Sequence, residues 1–351
     1  MLVLNENHPA RAELQKQTVV IDPETAQHAD IRALRLGVIN LMPVMNETEN
    51  DILRCISHSV LQIEPIWIRS ATREQSGRYT SLEHVQSFYQ TLEEATRDRG
   101  LDGLIVTGAP IERLDFEEVD YWDELRQVMD YAQRHVYCTM YLCWAAMAAA
   151  FHFYRVPKVM YPEKLAGLFR LKSVYEDDNP FTRGMNPDVA ICQSRYTGLD
   201  YEAMQREIAH GRILPLFDSQ DVAEVLGGPL GVTVFASSDM RALFNLGHLE
   251  YHAATIDQEV QRDLRKGLHY PVENYYLDAI GRTGIPPMTW RADRSLFFSN
   301  FLNVAYEQMN RHPHKKHRSF VLHPSYSEAS FKYRAEDAGL PTHVPIPVNA
   351  F

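Results

Sequence analysis

An apolar run that turns directly into a run of small residues constrains the fold of this chain more than any other feature. Tyr137–Leu142 is short and apolar, which predicts a buried strand, and Trp144–Ala150 is rich in alanine, which predicts a helix. Cys143 stands at the junction. Ligands of open α/β sheets bind at the carboxyl ends of strands, and a helix N-terminus favours a thiolate over a thiol. Cys143 is therefore a candidate nucleophile.

Short apolar runs alternate with helical segments over the first 155 residues. This alternation predicts an α/β fold with an open, mostly parallel sheet and helices on both faces. Strands are predicted at Leu34–Leu41, Leu61–Ile68, Gly103–Thr107 and up to Cys143, and helices at Thr48–Ser59, Leu82–Arg97 and Phe116–Arg134.

After Arg155 the strand-like segments follow one another with fewer helices between them, which predicts a second half rich in antiparallel pairs. The predicted strands here are Val189–Tyr196, Ile213–Phe217, Val232–Ser237 and Ala242–Leu246, with helices over 253–267 and 295–309. Residues 1–30 are polar and predict an extended N-terminal arm. Residues 31–310 then form one domain, and 311–351 form a basic, then proline-rich, peripheral tail.

Composition excludes several classes of function. The 351 residues carry a formal net charge of −11, which disfavours nucleic-acid binding because that requires a basic face. No apolar run approaches the ~18–20 residues of a membrane span, and the N-terminus has no signal-peptide pattern. Four cysteines without a Cys-x-x-Cys pair predict a reduced, cytoplasmic protein. Among them, Cys138 and Cys192 have the pattern of core residues.

A histidine and a carboxylate complete a candidate triad with Cys143. His248 follows Gly247 at the end of an apolar run, and Glu250 stands two residues later. In an extended segment the side chains of residues i and i+2 share a face, so Glu250 can orient the imidazole of His248. A cysteine, a histidine and a carboxylate are the parts of an acyl-transfer site.

The remaining sequence patterns give weaker evidence for a functional site. Lys164 and Arg262 have the pattern of solvated charges when taken alone. The segment His312–His317 is rich in histidine but lacks helical i,i+4 spacing, so no metal site is predicted there. The chain has neither a phosphate-binding Gly-x-x-x-x-Gly-Lys-Ser/Thr loop nor a Gly-x-Gly-x-x-Gly motif, so nucleotide-driven chemistry has no support.

Several ordered stretches resemble one known family, the homoserine O-acyltransferases of the homoserine trans-succinylase type. The resemblance runs from about Leu36 to Tyr306. It rests on Asn40-Leu41-Met42-Pro43, Glu47-Thr48-Glu49-Asn50, Asp102 through Pro110, Tyr121-Trp122, Cys143-Trp144-Ala145, Glu163-Lys164-Leu165, Ser194-Arg195-Tyr196 and Gly247-His248-Leu249-Glu250-Tyr251.

The resemblance implies a fold like that of class I glutamine amidotransferases and a role in methionine biosynthesis. It implies that Cys143 is the acyl-thioester nucleophile, His248 the general base and Glu250 its partner. The family positions that contact substrate fall on three further residues, namely Lys164, Ser194 and Arg262. The implied substrates are acyl-CoA and homoserine, without a metal or other cofactor. The resemblance leaves a homodimer open.

The resemblance also bears on the acyl donor. Glu112 falls where the family sets its donor choice, with glutamate accompanying acetyl-CoA and glycine accompanying succinyl-CoA. The chain departs from the family pattern after Met42-Pro43, where Val44 and Met45 replace the usual basic residues, and at Leu249, where proline is usual. These features predict acetyl transfer to homoserine, with succinyl-CoA as donor or L-serine as acceptor as the alternatives.

Two rival functions share these residues. A hydrolase or a glutamine amidotransferase would use the same fold and triad, but an amidotransferase has glycines beside its nucleophile, and Leu142 and Trp144 stand there instead. A binding protein without catalysis is the second rival. It is disfavoured because all three triad residues are intact.

Overall fold

The computed structural model describes residues 1–28, 32–73, 77–175, 179–276, 288–312 and 317–323, apart from the side chains at 220–222 and 224. The α-helices are α1 (Arg11–Leu14), α2 (Pro23–Gln27), α3 (Met45–Ile56), α4 (Leu82–Phe88), α5 (Leu92–Thr96), α6 (Trp122–His135), α7 (Trp144–Tyr154), α8 (Tyr201–Ala209), α9 (Thr255–Leu264) and α10 (Arg291–Arg311). The strands are β1 (Leu2–Val3), β2 (Val20–Ile21), β3 (Leu34–Ile39), β4 (Ile63–Ile68), β5 (Tyr89–Gln90), β6 (Gly103–Val106), β7 (Cys138–Leu142), β8 (Lys158–Ser173), β9 (Asp188–Leu199), β10 (Ile213–Ala223), β11 (Gly228–Ser237), β12 (Ala242–Asn245) and β13 (Val272–Glu273).

Thirteen strands of the described chain form one mixed sheet, in the order β13-β8-β10-β11-β12-β7-β6-β3-β4-β1-β2, with β5 paired to β4 and β9 to β8. The pairs from β12 to β2 are parallel. The pairs that join β8, β9, β10, β11 and β12 are antiparallel. The predicted parallel first half and antiparallel-rich second half are confirmed.

Helices cover both faces of the parallel half, as predicted. Successive side chains of a strand point to opposite faces, so each strand contributes to two cores. On one face Val38 of β3 packs in a core with Ile52 of α3 and Phe301 of α10. On the other face Leu104 of β6 shares a core with Met147 of α7. All five side chains are fully buried.

The single helix predicted over Leu82–Arg97 is wrong, because the structure divides it. The helix α4 ends before β5, where Tyr89 pairs with Trp67 of β4 and its hydroxyl donates a 2.6 Å hydrogen bond to the buried Glu49. Thr91 and Glu94 then form a reciprocal capping box that starts α5. The tertiary hydrogen bond of Tyr89 and the new N-cap at Thr91 therefore divide the helix that the local pattern predicts.

The helix predicted over Phe116–Arg134 also begins later than expected. Phe116–Glu118 forms one 3₁₀ turn, capped by Asp115. Val119 then has extended backbone angles (φ −75°, ψ 122°), which interrupts the helical path before α6. The core-facing pattern continues across the break because Phe116 and Trp122 stack on each other, with ring centroids 5.4 Å apart.

The chain ends differ from the expected peripheral segments where the structure describes them. The strand β1 pairs in parallel with β4 and β2, and Leu2 and Leu14 are buried in the core. Near the other end Phe320 is buried, and the hydroxyl of Tyr131 donates a 2.8 Å hydrogen bond to the carbonyl of Arg318. Residues 324–351 lie outside the described chain. The boundaries at 30/31 and 310/311 stay predictions.

None of the described helices combines the length and the apolar character that crossing a bilayer requires. The four cysteines are all buried and none is in a disulfide.

Candidate active site

Cys143 occupies a sharp turn between β7 and α7. Its backbone angles are φ 49° and ψ −115°, a conformation that is rare for a residue with a side chain. Such strain costs about 1–3 kcal/mol and is held by its surroundings, here by a 2.7 Å hydrogen bond from the Cys143 N–H to the carbonyl of Asn245. A strained strand-to-helix turn of this kind presents a nucleophile at the edge of a sheet.

A glycine in the turn after the neighbouring strand β6 leaves room beside the thiol. A Cβ atom at Gly108 would lie 3.2 Å from the Cys143 Cβ, which is tighter than most such contacts, and 3.6 Å from the Trp144 nitrogen. The first N–H groups of a helix have no partner within the helix. The Trp144 N–H therefore stands beside both the thiol and the turn that follows β6, where it can donate to an oxyanion.

His248 reaches the site from the antiparallel half of the sheet. Its N–H donates a 2.8 Å hydrogen bond to the carbonyl of Cys192 in β9. This approach needs glycine at the preceding position, because a Cβ at Gly247 would lie 2.5 Å from the Gln193 Nε2 and 2.8 Å from the Cys192 oxygen. Residue 247 is therefore a glycine because any larger side chain would clash with β9.

The imidazole of His248 lies between Cys143 and Glu250. Its Nδ1 is 2.6 Å from the Glu250 Oε1, and the Cys143 thiol is close enough to act on the pKa of the imidazole. Burial by itself would lower the pKa of His248, but the neighbouring Cys143 and Glu250 raise it well above its usual range. The structure therefore brings the three predicted triad residues into one chain of contacts.

Tyr251 links this triad to a second polar cluster. Its ring stacks on the His248 imidazole, with centroids 4.1 Å apart and planes 17° apart. Its hydroxyl donates a 2.7 Å hydrogen bond to the Oε1 of Glu259 in α9, and its carbonyl accepts a 3.0 Å bond from the Trp290 indole. The stacked ring fixes the plane of the imidazole.

The second cluster, which we call the Glu259 cluster, consists of Lys164, Ser194, Glu259, Asp263 and Tyr270. The Lys164 ammonium lies 3.2 Å from Glu259 and 3.0 Å from Asp263, and it is buried. Ser194 donates a short hydrogen bond to Glu259. Burial would raise the pKa of Glu259, but Lys164 and the hydroxyls of Ser194 and Tyr251 hold it below its usual range. Lys164 is thus a paired charge, and the pattern-based prediction that it is solvated is wrong.

Arg262 lies beside the Glu259 cluster on α9. Its Nε donates a 2.9 Å hydrogen bond to the Oδ1 of Asp263, and about half of its side chain is exposed. Burial would raise the pKa of Asp263, but hydrogen bonds from Arg262 and Tyr270 and the charge of Lys164 lower it. Arg262 therefore presents its terminal amino groups at the rim of a fixed set of charges.

Glu112 faces the same region from the turn after β6. Burial raises its pKa, while Lys164 and His248 act in the opposite direction and Glu259 acts with burial. Glu112 is therefore close enough to both the triad and the Glu259 cluster to interact with their charges. The main chain there is held by Lys158, whose ammonium donates a 2.7 Å hydrogen bond to the Glu112 carbonyl.

Sequence reasoning missed Glu259, Asp263 and Tyr270. A sequence signal for the first two existed, since Glu259 and Asp263 are four residues apart on a predicted helix and share a face with each other. Nothing local indicated that Lys164, almost a hundred residues earlier, would lie between them. Tyr270 donates a 2.6 Å hydrogen bond to Asp263 from beyond the helix.

The other cysteines have the structural roles expected of them. Cys138 and Cys192 are fully buried, and burial raises the pKa of each thiol. Within the ranges that the structure describes, no three His, Cys, Asp or Glu side chains form a group that could hold a metal ion. Residues 313–316 of the histidine-rich segment lie outside those ranges.

Comparison with known proteins gives a family match over most of the chain. A family model described as homoserine O-succinyltransferase matches residues 1–311. A homoserine O-acetyltransferase of Desulfovibrio desulfuricans is 38% identical over 296 residues, which are 84% of this chain and 90% of that protein. A homoserine O-acetyltransferase of Streptococcus mutans is 36% identical over 309 residues, 88% of this chain and 93% of that protein.

Solved structures with a related architecture are more distant. A glutamine amidotransferase from Thermotoga maritima gives a TM-score of 0.46 at 13% identity and covers 80% of this chain and 99% of that one. A score at this level carries no conclusion about function, whereas the sequence matches extend across the sheet, the triad and the Glu259 cluster. On those matches, this chain belongs to the homoserine O-succinyltransferase family, a family of homoserine O-acyltransferases.

Proposed function

We propose that this protein transfers an acetyl group from acetyl-CoA to the side-chain hydroxyl of L-homoserine, by way of a thioester on Cys143. The observation that carries the proposal is the contact chain from Cys143 through His248 to Glu250, with Cys143 at a strained strand-to-helix turn. A buried thiol beside an oriented imidazole is the arrangement of an activated nucleophile. Thioester-to-thioester-to-ester exchange needs no metal or redox cofactor.

In the first half-reaction His248 takes the proton of the Cys143 thiol, and the thiolate attacks the thioester carbonyl of acetyl-CoA. The Trp144 N–H and the turn at Gly108 flank the carbon under attack, so they can stabilise the oxyanion. The bond between the carbonyl carbon and the CoA sulfur then breaks. His248 returns the proton to that sulfur, and CoA leaves as the thiol.

In the second half-reaction His248 removes the proton of the homoserine hydroxyl, and the oxygen attacks the acetyl-Cys143 thioester. The bond from carbon to the Cys143 sulfur breaks, and the proton on His248 returns to the thiolate. Acetyl-CoA and homoserine have then become O-acetylhomoserine and CoA. Glu250 accepts the hydrogen bond from the Nδ1–H of His248 and stabilises the imidazolium that forms twice in the cycle.

The acceptor is a zwitterion, so its site needs a cation for the carboxylate and an anion for the ammonium group. Arg262 and Glu259 offer both charges three residues apart on α9, a spacing that puts them on one side of the helix. The terminal amino groups of Arg262 can hold the α-carboxylate in a bidentate pair. Glu259, fixed by Lys164 and Ser194, can accept the α-ammonium.

The negative charge of Glu112 favours acetyl-CoA over succinyl-CoA as the acyl donor. A succinyl group would bring a carboxylate beside Glu112, and two like charges ~4 Å apart repel by about 4 kcal/mol at an effective dielectric of ~20. Burial already raises the pKa of Glu112, so this pocket disfavours negative charge. The Lys164 ammonium, which acts on Glu112, is already paired with Glu259 and Asp263. The curated relatives at 36–38% identity are also acetyltransferases.

Steady-state kinetics with acetyl-CoA and succinyl-CoA against L-homoserine and L-serine test the proposal. We expect the highest kcat/KM for acetyl-CoA with homoserine and parallel lines in double-reciprocal plots, the pattern of a ping-pong reaction. Acyl-CoA cleavage at the same rate with and without either acceptor would instead identify a hydrolase. If no acyl-CoA is consumed and iodoacetamide labels no cysteine rapidly, the protein is a binding module.

The substitution Glu112→Gly is expected to raise the use of succinyl-CoA relative to acetyl-CoA. It removes the carboxylate that repels the succinyl group, but it adds no cation, since the uncharged Val44 and Met45 follow Met42-Pro43. The gain should therefore be partial, on the order of tenfold in the ratio of kcat/KM values. Glu117→Gly, an exposed change on the same connection, serves as the control. A wild-type preference for succinyl-CoA would refute the charge argument.

A further inference from the structure

A cavity lined by two arginines opens at the same edge of the sheet as Cys143. It has a volume of about 510 Å³, and its lining includes Arg69, Thr72 and Arg73, which follow β4. Apolar and aromatic side chains, among them Val85 and Tyr89, also line it. Neither the triad nor the Glu259 cluster lines this cavity. No step of the proposed acyl transfer involves it.

The cavity lies at the distance of a long substrate arm from the nucleophile. Strands β7, β6, β3 and β4 are consecutive neighbours and parallel, so their carboxyl ends share one edge. Three spacings of ~4.8 Å separate β7 from β4, which puts the two strand ends about 14 Å apart. An acetyl group on Cys143 cannot extend so far, but the pantetheine arm of CoA, which carries phosphates at its far end, can.

Hydrogen bonds connect the cavity wall to the nucleophile turn across this edge. Arg73 donates a 3.1 Å hydrogen bond to the carbonyl of Leu41, just beyond β3. The Leu41 N–H donates a 2.9 Å bond to the Thr107 hydroxyl, which in turn donates to the carbonyl of Gly108 at 3.2 Å. Gly108 lies against Cys143. The turns after β3 and β6 therefore bridge the two sites.

The charges of the cavity favour a phosphate ligand. A guanidinium carries five N–H donors. Within the described chain, Arg69 uses one for the Ser70 carbonyl at 3.3 Å and Arg73 uses one for Leu41. Glu94 also lines the cavity, but its carboxylate accepts hydrogen bonds from the N–H and hydroxyl of Thr91. The two arginines thus retain donors for an anion.

The negative net charge of the protein means that CoA binding requires a local cationic site. The protein has a formal charge of −11 and CoA is a polyanion, so the long-range field opposes binding. Lys164 and Arg262 near the triad are paired with carboxylates. The positions after Met42-Pro43 carry no charge.

We propose that Arg69 and Arg73 bind the phosphate groups of CoA in this cavity while its thioester end reaches Cys143. The inference rests on the proposed function for the identity of the donor. The pantetheine arm would pass along the turn at Leu41 and Met42, whose side chains are apolar and partly or fully buried. Arginine is suited to this role because its planar fork matches phosphate oxygens in pairs.

The test compares two donors with the same thioester. Acetyl-CoA carries the phosphates, and S-acetyl-N-acetylcysteamine does not. In Arg69→Gln and Arg73→Gln we expect the ratio of kcat/KM for acetyl-CoA to that for the truncated thioester to fall about tenfold or more, because each loses a charged hydrogen bond to phosphate. The ratio is independent of the fraction of protein that is folded. A direct measurement of the Kd for CoA should show the same loss.

Two further variants complete the comparison. Arg206→Gln, an exposed change on α8, should leave the ratio and the Kd unchanged. Arg113, which follows β6 and whose guanidinium lies over the Tyr196 ring, is the competing cation. An unchanged ratio and Kd in both cavity variants, or a larger loss in Arg113→Gln, overturns the proposal. Failure of the proposed function has a different signature, namely wild-type protein that transfers acetyl from neither donor to homoserine.

Discussion

Replacing Cys143 with alanine is expected to abolish acyl transfer, with a loss of about a millionfold in kcat, as for nucleophiles of other triads. The thiol is the only atom in the contact chain that can carry the acetyl group, and no water-based route to the ester replaces it. Mass spectrometry of wild-type protein incubated with acetyl-CoA alone should show one acetyl adduct on Cys143. In Cys143→Ala that adduct should be missing.

Cys138→Ala is the matched control for this prediction. Cys138 is the first residue of β7, the strand that ends just before Cys143. It is fully buried, and burial raises the pKa of its thiol. The substitution removes one sulfur atom from the core and should lower stability by on the order of 1 kcal/mol without reducing kcat. Activity that survives in Cys143→Ala, or an adduct on Cys138 or Cys192, would contradict the assignment of the nucleophile.

Replacing Glu250 with glutamine is expected to reduce kcat by up to about four orders of magnitude, the loss seen when an orienting carboxylate of a triad becomes an amide. Glutamine keeps the shape of the side chain and an oxygen that can accept from His248. It removes the charge that stabilises the imidazolium. Glu250 is buried, and its Oε2 has no hydrogen-bond partner among the described residues, so the exchange of this oxygen for an amide nitrogen breaks no hydrogen bond there.

The pH dependence separates this role from a purely structural one. Glu250 is one of the groups that raise the pKa of His248, so its neutralisation lowers that pKa. The free enzyme is active while Cys143 and His248 share one proton, and the alkaline limb of kcat/KM for acetyl-CoA marks the loss of that proton. We therefore expect this limb to move to lower pH in Glu250→Gln. Glu207→Gln, which breaks a remote pair with Arg212, should leave the profile in place. A folded Glu250→Gln variant with near-normal kcat and an unmoved profile would reject the role.

The sequence by itself determined the architecture of the parallel half and the position of the nucleophile. Both follow from local rules, because a buried parallel strand is apolar on both faces and the alanine-rich segment after Cys143 favours a helix that begins directly. The pairing of His248 with Glu250 is also local, since residues i and i+2 of an extended segment share a side. Burial and side-chain alternation suffice for these features, and they need no knowledge of distant residues.

Where local signals competed with distant contacts, the sequence pattern was a poor guide. The helix predicted over Leu82–Arg97 divides at Tyr89 because a hydrogen bond to Glu49, forty residues away, outweighs the helical pattern. The N-terminal residues looked like an arm because β1 is only two residues long. Its pairing with β4 is stabilised by a sheet that forms elsewhere in the chain.

Only the tertiary structure decided the surroundings of the triad. Lys164 of β8 and Ser194 of β9 were indicated only by the family resemblance, and Glu259 of α9 was not predicted. The structure alone shows that the three side chains are in contact. The arginine-lined cavity depends likewise on the order of strands in the sheet. Strand order is set by which long-range pairings bury the most apolar surface, a property of the whole chain. For that reason, the sequence alone indicated the reacting groups, whereas the groups around them required the fold.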